Sequence, residues 1–241
     1  MKIVVLNRLH LDEWPSDQVA RILESLRDHP EITSFTRQAL APSIPKRRGH
    51  NANITQCFPG DSRGNAEERD ARRITRLCRG SDLVLDIHGN NNAVGSDHPF
   101  YGAASRDNPL VMGVASLLGS RHGVVYVDGP HPAVTLANYV GWDLSPNTTA
   151  LGQLSSWLVA IAEGWVPATR RMREYRPEGE VLAEDGRRLG LKRVYPDFAR
   201  LPDDAAKELG FPLPAFASCW NADLVGHTGY WGEVSTIFQP S

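Results

Sequence analysis

Short, strand-like runs alternate along this chain with stretches whose apolar residues recur at helical spacing. That alternation narrows the folds open to the chain more than any other feature of it. The runs IVVL (3–6), ITSFT (32–36), DLVLDI (82–87), GVVYVD (123–128) and AVTLANYV (133–140) read as strands, and the continuous apolar character of IVVL and DLVLDI is what a strand covered on both faces requires. Between them lie helical patterns. Pro15-Ser16-Asp17 opens one in which Val19, Ile22, Leu23 and Leu26 share a face. An Arg-rich amphipathic stretch (66–80) closes on Gly80, and two more apolar helices span 108–120 and 151–164. Strands alternating with helices predict an α/β fold with a mostly parallel or mixed central sheet flanked by helices.

From Trp165 the texture becomes turn-rich and then Pro-dense, so the expected division is an α/β domain over 1–164 and a smaller β-rich C-terminal lobe over 165–241. At 241 residues the chain corresponds to about one and a half average domains, which suits that division. A net charge of −2 gives no reason to expect a nucleic-acid or membrane-surface partner. No apolar run approaches the roughly 18 residues of a membrane span. Three cysteines (Cys57, Cys78, Cys219) without metal-ligand spacing fit a reducing, cytoplasmic setting. The oligomeric state is left open, with a homo-oligomer allowed.

Ligand sites of open α/β sheets lie beyond the carboxyl ends of the strands. The first run leads into Asn7-Arg8-Leu9-His10-Leu11-Asp12-Glu13, and the third ends in Asp86-Ile87-His88. His10 and Glu13, three residues apart, can project from one turn, and His88 can join them from a neighbouring strand. Two imidazoles and a carboxylate with an open fourth position suit a catalytic zinc ion. A strand-end histidine bonded to a carbonyl and a solvated glutamate account for the same residues without a metal. Asp86 can brace the strand end or support a ligand from behind.

The segments IVVLNRLHLDEWPSDQVARIL, NANITQCFPGDSRGNAEERDARRI and SDLVLDIHGNNNAVG together resemble the succinylglutamate desuccinylase/aspartoacylase family of zinc-carboxypeptidase-like hydrolases. The family pattern is a strand leading to H-x-x-E, a long arm ending in D-L-N-R-x-F-x-G, and a strand ending in D-x-H. The resemblance implies that His10, Glu13 and His88 hold one Zn2+ per chain. It also implies that Arg48 (or its neighbour Arg47) steadies the scissile carbonyl, and that Tyr230 lines the substrate pocket. Amides of the run beginning Gly89-Asn90 can line the same pocket, and a polar turn after a strand accounts for them equally well.

Two departures from the family pattern stand out. The Asn-Arg pair that grips a substrate carboxylate falls on Thr55-Gln56, and glutamine has no charged fork to offer. The family's catalytic glutamate sits in a strand like I-T-L-E-x-G. The matching stretch is residues 133–138, which puts Ala137 or a near neighbour in its place, and no glutamate occurs between Glu68 and Glu163. Glu233, in the C-terminal lobe, is the leading substitute, with Asp128 and Asp143 behind it. His122, His131 and His227 are further proton carriers to weigh. The expected activity is zinc-dependent hydrolysis of an amide bond in a small acyl-amino acid or at a peptide end. The alternatives are a metal-binding relative that only binds a ligand, or an enzyme that transfers the acyl group to an acceptor other than water.

Overall fold

The computed structural model describes residues 1–7, 9, 16–37, 54–89, 97–118, 121–144, 148–182, 199–217 and 234–240. Its elements are β1 (Ile3–Asn7), α1 (Ser16–Glu24), β2 (Ile32–Thr36), α2 (Ala66–Leu77), β3 (Leu83–Gly89), β4 (His98–Gly102), α3 (Pro109–Leu117), β5 (His122–Tyr126) and α4 (Pro132–Thr135). They continue through β6 (Tyr139–Leu144), α5 (Leu154–Ala162), β7 (Arg173–Leu182), β8 (Ala199–Arg200), α6 (Asp203–Glu208), β9 (Phe216–Ala217) and β10 (Val234–Pro240). The strands form one mixed sheet in the order β2-β1-β3-β6-β4-β5-β7-β10-β9-β8. The expected α/β class with flanking helices is the one observed.

Side chains alternate between the two faces of each strand, and the two apolar clusters follow that parity. Ile3, Val5, Leu83, Leu85, Ile87, Val140 and Trp142 meet α1, α3 and α5 on one face. Val4, Leu6, Val84, Phe100 and Tyr139 meet Ile54, Phe58 and the Ala71/Ile74 side of α2 on the other. Both faces are covered at the centre of the sheet, which is why β1 and β3 read as apolar runs. Each fully buried Leu, Ile or Val stabilises the fold by about 1.5–3 kcal/mol.

The second helix is fixed at its start by a reciprocal cap. The Glu68 amide donates to Asn65 Oδ1 at 2.9 Å, and the Asn65 amide donates to Glu68 Oε2 at 2.7 Å. Gly60 lets the preceding turn lie on this helix. Its φ is +84°, and a Cβ there would stand 2.1 Å from the Arg72 backbone nitrogen.

Two readings of the sequence need correction. The stretch 133–140 is not a strand. Pro132 opens the short helix α4, the Ala133 N–H donates to His131 Nδ1 at 3.2 Å, and Asn138 turns the chain with a left-handed φ of 57°. The strand begins only at Tyr139. The second correction is β4, HPFYG, which carries no apolar run and went unpredicted. It enters antiparallel to β6, so β4, β5 and β7 run against β1, β3 and β6. Because β7 pairs in parallel with β5, the sheet continues from residues before Trp165 into residues after it. Among the described residues no helix is long and apolar enough to cross a membrane.

Candidate active site

Sheet register gathers the chemistry at one edge. His88 pairs with Asp143 across β3 and β6, and Asp143 pairs with His98 across β6 and β4. Directly paired residues point to the same face, so the three form one row along the carboxyl ends of β3 and β6. His98 arrives there because β4 runs the other way and starts at that edge. Its Nε2 stands 3.3 Å from Asp143 Oδ2. Both imidazoles are buried, whereas the Asp143 side chain keeps 33% of its exposure, so the carboxylate is the member of the row that meets solvent.

Beneath this row lie Asp86, Gly141 and Phe100, in register and on the same face. Gly141 is needed for the close approach: a Cβ there would fall 2.0 Å from Phe100 Cζ. The Phe100 ring is thereby pressed against β6 and meets the His88 ring edge-on, with centroids 5.3 Å apart. The ring fixes one side of His88.

Asp86 fixes another. Its Oδ2 lies 2.9 Å from His88 Nε2 in a close but bent contact, and it accepts the Tyr139 hydroxyl at 2.5 Å. Burial, and then the Asp86 charge, push the Tyr139 phenol well above its ordinary range, so it stays a donor. A carboxylate oxygen facing Nε2 favours a proton on that nitrogen, because two facing lone pairs would repel. With the proton there, His88 would offer the lone pair of Nδ1. An imidazole with one nitrogen turned to a buried carboxylate and the other carrying a lone pair is the arrangement used by metal-ligating histidines. His88 and its surroundings therefore fit a divalent cation.

A second buried network lies at the exits of β1 and β2. Arg37 directly follows β2, and its backbone N–H donates to the Asn7 carbonyl at 3.2 Å. Its side chain donates to the Leu9 carbonyl at 3.2 Å, to Glu67 Oε1 at 3.3 Å and to Asp70 Oδ2 at 3.1 Å. The Leu9 carbonyl belongs to the peptide that joins Leu9 to His10, so a guanidinium anchored on α2 holds the chain one bond before a predicted ligand. Nothing in the sequence marked Arg37. Its only trace is a charged residue closing an otherwise uncharged strand.

Of the other predicted site residues, Thr55 and Gln56 occupy a 3-10 turn (Ile54–Cys57) on the α2 side of the sheet, Thr55 buried and Gln56 exposed. The neighbouring Cys57 thiol is pushed up by burial and then by Glu68 and Glu67, which disfavours the nucleophilic thiolate. His10, Glu13, Arg48, Asn90, Tyr230 and Glu233 lie outside the described residues, as does His227. Among the described residues, no three His, Cys, Asp or Glu side chains are grouped to hold a metal. Asp128 is exposed beyond the end of β5, and β5 runs opposite to β3 and β6, which places it at the far edge of the sheet. His131 caps α4 and stacks on Tyr126, while the His122 ring packs edge-on against Tyr175.

No family model and no curated relative matches the chain by sequence. Solved structures do match it by fold. Murine aminoacylase 3 superposes with a TM-score of 0.62 over 100% of this chain and 96% of its own, at 12% identity. A succinylglutamate desuccinylase/aspartoacylase from Rhodobacter sphaeroides gives 0.52 over 99% and 78%, at 14% identity. Succinylglutamate desuccinylase from Vibrio cholerae gives 0.52 over 100% and 82%, at 13% identity. The chain has the fold of the succinylglutamate desuccinylase/aspartoacylase group in a divergent sequence, in agreement with the resemblance carried by its motifs.

Proposed function

We propose that this chain is an amide-bond hydrolase of the deacylase kind, acting on a small acyl-amino acid or a peptide end, with Asp143 as its general base. The observation that carries the proposal is the register pair His88–Asp143 at the carboxyl edge of the sheet. The departure that most weakened a hydrolytic reading was the absent glutamate. No glutamate lies between Glu68 and Glu163 in any register, so the role falls to another carboxylate. With the strand at Tyr139–Leu144, a carboxylate stands at its end, beside His88.

His10, Glu13 and His88 are the residues assigned to hold a divalent cation, taken as Zn2+. Such an ion, when bound, polarises a carbonyl and lowers the pKa of water toward about 7. The chain's own groups do the rest. Asp143 accepts a proton from the attacking water and returns it to the departing amine nitrogen, a role worth about 10²–10⁴ in rate. Arg48 is assigned to the developing oxyanion, with Tyr230 and Asn90 lining the pocket. Thr55 and Gln56 carry no charge, so the substrate group they meet is neutral, or a carboxylate is gripped elsewhere.

The test is hydrolysis of a panel of N-acyl amino acids and short peptides by purified protein. Activity abolished by a chelator and restored by stoichiometric zinc is expected, with Asp143→Asn lowering kcat by about 10²–10⁴. If Asp143→Asn retains full activity while Glu233→Gln loses it, the proton carrier is Glu233. If neither the protein nor its zinc-loaded form cleaves any member of the panel, the hydrolase reading fails.

A further inference from the structure

We infer that His98 is a positioning residue for the Asp143 carboxylate. This rests on the assignment of Asp143 as general base and adds to it a residue that none of the recognised motifs contains. His98 Nε2 lies 3.3 Å from Asp143 Oδ2, and the two are direct cross-strand partners. The imidazole is 7% exposed and the carboxylate 33%, so His98 stands behind Asp143 and does not itself face a substrate.

The backbone around His98 gives it little freedom. Asp97 Oδ2 accepts the Thr148 hydroxyl at 2.5 Å, tying the start of β4 to the segment just past the end of β6. Two residues further on, the Phe100 ring is pressed onto Gly141. The histidine thus sits on a strand clamped to β6 from both sides. An imidazole nitrogen 3.3 Å from one carboxylate oxygen, when it carries the proton, selects a single rotamer for a side chain that is otherwise one-third in solvent.

This matters more for an aspartate than for a glutamate. The shorter side chain has less reach, so a small misdirection of its oxygens cannot be absorbed by further torsions. Displacement of a reacting group by about 1 Å costs on the order of 10²-fold in rate.

The test compares His98→Phe, which keeps bulk and removes the donor, with His98→Gln, whose side-chain amide can donate. The expected result for His98→Phe is a kcat about 10–100-fold lower, with KM and zinc stoichiometry unchanged. His98→Gln should recover to within a few-fold of the wild type. Wild-type kcat in His98→Phe overturns the inference. So does equal loss in both variants, or a loss that tracks a fall in thermal stability, since a purely structural role predicts those outcomes. A separate readout keeps the inference distinct from the hydrolase reading. Three-bond couplings at the Asp143 β-protons should report one rotamer in the wild type and rotamer averaging in His98→Phe. A wild type that cleaves nothing removes the hydrolase assignment, and the positioning claim is then decided by these couplings alone. One unchanged rotamer in both proteins refutes it.

Discussion

Replacing Arg37 by Met strips the charge from a guanidinium that is 4% exposed and leaves Glu67, at 0%, buried against an apolar stem. Three acceptors lose their donor: the Leu9 carbonyl, Glu67 Oε1 and Asp70 Oδ2. The last is one-third exposed and is rescued by water, so its share is small. The dominant loss is the Arg37 charge beside the buried Glu67 carboxylate, and breaking a buried pair costs about 3–5 kcal/mol. With a denaturant slope of about 3 kcal/mol/M, the urea midpoint should fall by about 1–1.7 M. The double variant Arg37→Met/Glu67→Leu should regain most of this, because replacing both members of a buried pair with apolar groups is often near neutral. Zinc affinity should stay reduced in the double variant, since the carbonyl before His10 still lacks its donor. A midpoint shift under about 0.3 M in the single variant, or no recovery in the double, would show that the pair does not organise this edge of the sheet.

Other outcomes follow from the same geometry. Gly141→Ala drives a methyl into the Phe100 ring and should destabilise by about 1–3 kcal/mol in thermal or urea unfolding, while lowering activity through the His88 contact. Asn65→Ala removes one half of the α2 cap and should cost about 1 kcal/mol, with kcat unchanged. The fold raises the Cys78 thiol to about 12, mainly through burial and then through Asp86. The unfolded chain therefore releases this proton first, near pH 9, and stability should fall between about pH 9 and 12. Cys78→Ala should flatten that part of a stability-against-pH curve.

Much of this fold is written locally, and the exceptions show where local reading stops. The β1 and β3 runs are visible because both faces of the sheet are covered, so IVVL and LVLDI need no polar alternation. AVTLANYV has the same apolar content, yet its first half is a helical turn. There Pro132 and the His131 cap outweigh the β-branched residues, and Asn138 accepts the left-handed turn. HPFYG is too short and too mixed to stand out, and its strand character comes from pairing with Trp142 and Gly141 some forty residues later. That non-local pairing sets His98 beside Asp143, and it decides which aspartate lies beside His88. Sequence order alone ranked Asp128 and Asp143 together, whereas the reversed direction of β5 puts Asp128 at the opposite edge. The Arg37–Glu67 pair is hidden for a similar reason, since its members come from different elements whose contact exists only once β2 and α2 have packed.

Anomalous diffraction at the zinc edge from crystals of the zinc-loaded protein tests the central claim most directly. The account predicts one zinc peak per chain on Nδ1 of His88, shared with His10 and Glu13, and an Asp143 oxygen within about 2.6–3.2 Å of the atom filling the fourth position. A peak elsewhere, or none at His88, would contradict it, as would an Asp143 carboxylate turned away from the ion.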